Sequence, residues 1–381
     1  VFPAMAFGAV VNVSEVFAKQ RLNQKRGPLF VSELYTGSND RWAMPHRPMD
    51  HAMVASTLRR VLLAGASVNL YMFHGGTSFG FSSGACMVAA TGRKNEFLYR
   101  PQVTSYDFGG PLTEDGDPSK LFTAVRRVIS ELFPNISLPK MPKRKRKMKF
   151  GPISTTNMFG IAGLQHIARA RSVSSQHPLS FEEVGHVFVD SLSRAEKNTA
   201  VIVKAKLHQV LTILVHNEGR MSSGKALGER KGIVYNVTLD KLLLTNWTMR
   251  PIPLINASWL TDYDQMRSIR KQIPLKGVVS SSFEVRVFAA EFEIPYAEPC
   301  DTFLRPDQKT KGIAFLNGFN LGRYWPARGP QKTLYVPRTL FRKKNVLVLI
   351  ELEGGFHRGG RAPVVHFEDE PELLGTVHKI D

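Results

Sequence analysis

The chain has 381 residues, 43% of them hydrophobic, and carries 51 Lys and Arg against 32 Asp and Glu. That length supplies two or three domains with cores of their own and excludes disorder as a whole-chain description. The longest weakly apolar run, Val1 to Val11, holds Pro3 and Gly8 and is too short to cross a bilayer, and the formal net charge of +19 invites an anionic partner.

From the amino end, Gly27-Pro28 opens the apolar run Leu29-Phe30-Val31, which predicts a strand ending at Ser32-Glu33. Asp50 to Ala66 places Met53, Val54, Leu58, Val61 and Leu62 at helical spacing. A second unit follows: Ala66 to Phe73 predicts a buried strand, His74 to Pro118 a long Gly-rich loop, and Leu121 to Phe133 a helix through Leu121, Phe122, Val125, Val128, Ile129 and Leu132. Two consecutive βα units imply parallel strands. Lys140 to Lys149 contains seven Lys and Arg in ten residues; with Pro134, Pro139 and Pro142 it predicts a linker whose like charges repel and keep it extended. Beyond it come short β runs at 186–189, 199–205, 210–215, 233–239, 283–294, 312–316, 333–336, 346–352 and 364–367, whose spacing predicts β-sandwiches. Asn317-Gly318 predicts a tight type I′ hairpin turn, because that dipeptide tolerates positive φ angles.

Two cysteines, Cys86 and Cys300, form at most one bridge, which excludes a disulfide framework. The chain begins at Val with no charged region before it, so no signal peptide can be read. Glu33 stands where a strand gives way to a loop. If these units belong to a TIM barrel, the carboxyl ends of its strands are the catalytic face, and a carboxylate there among aromatic residues suits a glycoside hydrolase. The plainer account is a strand-end Glu bonded to backbone. Gly pairs in His74 to Gly80 let backbone approach a ligand closely and its aromatic faces suit sugar stacking, the plainer account being a flexible loop. The basic run also reads as a nuclear-localisation or nucleic-acid patch; a solvated linker is favoured, since no nucleic-acid-binding fold signature accompanies it.

Four strings occur in order: SELYTG from Ser32, NLYMFHGGTSFGF from Asn69, TSYDFGGPLTEDGD from Thr104 and FLNGFNLGRYWPARGPQ from Phe315. The first three resemble the carboxy-terminal end of the catalytic barrel in family 35 of the glycoside hydrolases, the β-galactosidases. The fourth resembles the terminal β-domain of the animal lysosomal members. The resemblance implies a multidomain α/β plus all-β chain: the carboxy-terminal remnant of a TIM barrel over 1–133, a basic linker over 134–150, and two jelly-roll-like β-sandwich domains over 151–255 and 256–381, the second galactose-binding-like. It maps Glu33 onto the catalytic nucleophile and places Tyr35, Tyr71 and Phe108 at the sugar, with Tyr106 matching a family position that is open to a structural role.

Retaining chemistry needs a second carboxyl about 5–5.5 Å from the nucleophile. The family carries it in an Asn-Glu-Tyr-Gly-like motif on an earlier strand, which this sequence lacks; Asn95-Glu96-Phe97 lies too late in the order and is read as chance. Ser38 stands where the family has Trp, Phe108 where it has Tyr, and Gly109-Gly110 where it has Asp-Ala. Two units also fall far short of the eight that a barrel needs. The chain therefore reads as a β-galactosidase-like hydrolase incomplete for its reaction, or as a non-catalytic carbohydrate-binding or decayed paralogue. Galactoside-containing glycans are the implied partners, with a homo-oligomer left open, no specific nucleic acid, no membrane span, no metal and no cofactor. Sequons at Asn12, Asn135, Asn236, Asn246 and Asn256 agree with a lysosomal or secreted address.

Overall fold

The computed structural model describes residues 4–89, 97–184, 211–223, 227–255, 257–273, 285–306, 311–353 and 362–374. Its amino-terminal part is a parallel three-stranded sheet, β1 (Met5–Gly8), β2 (Phe30–Tyr35) and β3 (Ser67–Tyr71), in that order. Helices α1 (Val13–Asn23), α2 (His51–Leu63) and α3 (Lys120–Leu132) accompany it. Each helix starts where a side-chain oxygen satisfies backbone N–H groups of the first turn: Asn12 accepts from Ser14, Asp50 from Ala52, and Ser119 from Leu121 and Phe122. Val31 and Leu34 of β2 bury against Val54, Leu58 and Val61 of α2 and Leu121, Val125 and Val128 of α3. Both expected helices are present: α2 lies within the expected 50–66, and α3 is shifted one residue toward the amino end of the expected 121–133. The β1–α1 unit is a third βα unit that the periodicity does not announce: β1 is four residues long, and α1 buries only Val13, Phe17 and Gln20. The sheet is open, and no closed barrel forms among the described residues. The expected Gly-rich loop holds a hairpin, Ala85–Ala89 with Phe97–Pro101, and a two-residue ladder, Gly76–Thr77 with Ser105–Tyr106.

The carboxy-terminal part is built from two antiparallel sheets. One has five strands in the order Phe319–Tyr324, Gly312–Leu316, Asn345–Glu351, Arg286–Phe292, Thr156–Gly160; the other has four, Leu334–Val336, Thr302–Pro306, Val364–Glu368, Phe150–Ser154. Alternation along Asn345–Glu351 explains its all-apolar centre. Leu347 and Leu349 face the core between the sheets with Leu304, Val365 and Phe367, whereas Val346, Val348 and Ile350 face a second core with Met266 and Ile269 of helix Tyr263–Gln272. Asn317 and Gly318 both have positive φ (52° and 81°) and join two strands paired through Leu316 and Phe319, the turn expected from the dipeptide. Strands from 150–160 share these sheets with strands from 286–368, so the pairing crosses the expected boundary at 255/256. Between them, the described residues carry short ladders at 173–175 with 247–249 and 238–239 with 242–243. The runs at 186–189 and 199–205 lie outside the described residues, and residues 211–215 form no strand.

The basic run is not a freely solvated linker. Lys147 is buried, its ammonium 2.6 Å from both Asp115 and Asp117, and the backbone N–H of Lys145 donates to Asp117 Oδ1 at 3.0 Å. Met148 is fully buried, its N–H donating to Asp301 O, and Lys149 pairs with Glu368 at 2.7 Å. Opposite charges more than 25 residues away cancel part of the repulsion that the sequence alone suggests.

The two parts are joined through the string from Phe315. Buried Arg323 donates to the carbonyls of Ser83 and Asn217 and to the Ser83 hydroxyl, and stands over the Phe81 ring at 5.3 Å. Thr104 Oγ1 donates to Arg323 O at 2.7 Å, Ser105 N to Gln331 Oε1 at 2.9 Å, and Gly80 N to Asn320 O at 3.0 Å. Gly322 is required there: at φ 118°, a Cβ would lie 2.4 Å from Thr104 Cγ2.

Two outcomes test this packing by denaturant unfolding. Lys147→Ala leaves two buried carboxylates without their cation and lowers stability by about 3 kcal/mol, whereas Lys143→Ala and Lys145→Ala stay within about 0.5 kcal/mol of the parent. Gly322→Ala costs about 2 kcal/mol or more through strain and overlap, and Thr104→Ser recovers part of the loss; an unchanged midpoint in Gly322→Ala would show that the two parts do not meet there.

Candidate active site

Glu33 and Tyr35 stand two residues apart at the end of β2 and share the face opposite the helical core. The register with β3 shifts between Val31 and Leu34, which lets both of those residues reach the core and resets the alternation for the pair beyond. The Tyr35 hydroxyl donates to Glu33 Oε2 at 2.6 Å. That hydrogen bond, assisted by burial, pushes the Tyr35 phenol above its ordinary value.

Tyr71 ends β3 beside them. Its ring meets Tyr35 edge-on at 5.9 Å, and its hydroxyl lies 3.2 Å from that of Tyr106. Phe108 closes the group, edge-on to Tyr71 at 5.3 Å and stacked on Tyr106 at 5.3 Å. Phe108 sits in the left-handed region at φ 63°, a strained conformation for a bulky residue. Asp107 holds that turn by accepting from Gly109 N at 3.1 Å and Glu114 N at 2.8 Å, and its carboxyl is pushed upward chiefly by burial. The turn lies directly over the end of β2: a Cβ on Gly37 would fall 2.0 Å from Phe108 O, so only glycine permits this approach. Thr36 ties β2 to β3 through bonds to Tyr71 O and Met72 O.

Below the turn the carboxyl of Glu114 is enclosed, 2.6 Å from the hydroxyls of both Thr77 and Ser105. Burial pushes it up to about 8. To one side, His46 lies 2.7 Å from Asp40, whose hydrogen bond raises the imidazole.

The structure thus brings Glu33, Tyr35, Tyr71 and Phe108 together. Phe108 is buried and presents no hydroxyl, and Ser38 is exposed. Asn95 and Glu96 lie outside the described residues. Cys86 and Cys300 are free thiols. Sequence reasoning leaves Tyr106 open and passes over Thr77, Ser105 and Glu114, whose pairing joins two segments through an antiparallel ladder that has no periodic signal. Among the described residues no group of His, Cys, Asp and Glu is arranged to hold a metal ion, and no helix is long and apolar enough to cross a membrane.

Residues 1–132 match the family model for glycosyl hydrolases family 35, residues 169–253 that for the first all-beta domain of beta-galactosidase, and residues 286–345 that for the beta-galactosidase galactose-binding domain. The chain is 34% identical to beta-galactosidase-1-like protein of Mus musculus over 99% of its own length and 61% of that protein. It is 32% identical to beta-galactosidase of Macaca fascicularis and 31% to that of Homo sapiens, covering 98% of this chain and 59% of each relative. It therefore spans about three-fifths of the curated relatives it matches. Three matches in one order, continued by similarity along nearly the whole chain, make this chain similar to the family 35 glycosyl hydrolases and to the beta-galactosidases among them.

Proposed function

We propose that this chain carries the nucleophile of a retaining β-galactosidase in the remnant of a (β/α)8 barrel, with Glu33 in that role and Tyr35, Tyr71 and Phe108 forming the wall against the sugar. The observation that carries the reading is the Glu33–Tyr35 pair. A hydroxyl on Oε2 fixes the carboxylate, leaving Oε1 to attack the anomeric carbon. As that bond forms, the glycosidic C–O bond breaks and a covalent galactosyl–enzyme results; water then releases galactose with retained configuration. Proton delivery to the leaving oxygen, and its removal from the water, belong to a second carboxyl that has no counterpart in this sequence. The domain order is part of the same reading: barrel portion, basic connection, first all-β domain, and a galactose-binding-like sandwich that also takes the strands at 150–160. So is a lysosomal or secreted address, which four exposed sequon asparagines, Asn12, Asn135, Asn236 and Asn246, support.

A second reading, a non-catalytic carbohydrate-binding or decayed paralogue, is favoured by Phe108. Buried against Tyr71, it fills the wall but offers the sugar no hydrogen bond.

The 381-residue chain by itself should give no appreciable turnover of an aryl β-galactoside, because it has neither an acid/base partner for the nucleophile nor the remaining strands of a barrel to form the sugar site; hydrolysis that disappeared in Glu33→Gln would overturn this. Fused behind the upstream segment of a curated β-galactosidase, it should hydrolyse the substrate, with Glu33→Gln lowering the rate by about a thousandfold or more. A fusion that folds and binds galactose but stays inactive would establish the second reading.

A further inference from the structure

The Glu114 carboxyl takes no part in the chemistry above, yet it is a buried acid beside the site. Each of its oxygens meets one hydroxyl at 2.6 Å, Thr77 Oγ1 at Oε1 and Ser105 Oγ at Oε2, and those hydroxyls sit on the two strands of the short ladder that ends in Tyr106. The ionisable groups that face it are unfavourable to a charge. Asp107 and Asp115 on its own loop are acidic, Tyr335 of the four-stranded sheet is a phenol, and the nearby cation, Lys147, is spent on Asp115 and Asp117. Ser105 Oγ accepts the N–H of Asp107 at 3.3 Å, so its own proton points to Glu114 Oε2. A carboxylate accepts from both hydroxyls; a protonated carboxyl keeps the Ser105 bond and donates from Oε1 to Thr77 Oγ1, a hydroxyl that can turn to accept.

We propose that Glu114 is a positioning residue that acts as an uncharged carboxylic acid, holding the Tyr106–Phe108 turn against the Tyr35–Glu33 pair, and that its ionisation loosens that turn. The role deepens the reading of Glu33 as nucleophile and rests on it; the geometry of the clamp does not. Burial without a cation agrees, since it holds the carboxyl up to about 8. The sign follows: an acid whose proton is held more tightly in the folded chain contributes stability that is complete below its ordinary value and is lost as pH rises through about 8. An acidic compartment keeps the clamp closed.

Infrared titration of the full chain and of Glu114→Gln, with hydrogen exchange of residues 105–109 corrected for its intrinsic pH dependence, tests this without turnover. The parent should keep a protonated-carboxyl band at about pH 6 that fades near pH 8 and is missing in Glu114→Gln. Exchange in 105–109 should quicken about tenfold across that range in the parent and stay flat in Glu114→Gln. A parent without the band, a band that persists in Glu114→Gln, or equal exchange in both proteins would overturn the proposal. If Glu114→Gln does not fold, the parent decides alone: band and protection lost together uphold the clamp, and band lost with protection intact refutes it. Either failure leaves the assignment of Glu33 to be judged by the fusion.

Discussion

The burial of Arg323 is the constraint from which most of this architecture follows. A guanidinium out of water must have acceptors, and those it finds are backbone carbonyls and a hydroxyl of loops in the amino-terminal part and of the segment near residue 217. A strand of the sandwich is thereby bound to loops that have little regular structure of their own. The Ser105–Phe108 segment is one of these: Gln331 takes the N–H of Ser105, two residues later the chain turns at Asp107, and Phe108 lands on the end of β2. The placing of Phe108 beside Tyr35 and Tyr71 is thus set partly by residues more than 200 positions downstream. That is a physical reason for an all-β domain to travel with the hydrolase-like part rather than serve as an appendage.

Charge plays a second, narrower part. Seven of the chain's cations lie in one run of ten residues, and two of them, Lys147 and Lys149, are paired with Asp115, Asp117 and Glu368. Lys147 holds the loop that contains Glu114, so the connection between the parts and the loop beneath the Asp107 turn share one ion cluster. What remains outward from the run is exposed and weakly paired, as with Arg144 and Glu370 at 3.8 Å, a contact of little energetic weight.

How much of this the sequence discloses depends on the range of the interaction. α2 and α3 are legible because their apolar spacing and their caps, Asp50 and Ser119, act within a few residues. The segment Asn345–Glu351 is legible as a strand, but its place between 312–316 and 286–292 is a matter of pairing that no local pattern encodes. β1 is too short to show a period. Lys147 looks solvated when its neighbours alone are counted, because its partners lie about 30 residues upstream. At the pocket, Glu33, Tyr35, Tyr71 and Phe108 come from the family strings, whereas the ladder that pairs Thr77 with Ser105, and the acid it encloses, emerge only once the Gly-rich segment folds back on itself.

The strand Thr156–Gly160 lies at the edge of the five-stranded sheet against Arg286–Phe292, with more than a hundred residues between the partners. During synthesis at roughly 5–20 residues per second, that partner emerges on the order of ten seconds later. Until then the apolar side chains of Met158 and Phe159, fully buried in the finished fold, have no sheet to enter. The nascent chain must therefore be kept from wrong associations for longer than a small domain needs to fold, and a segment made more than a hundred residues later is the one that completes the sheet around 156–160.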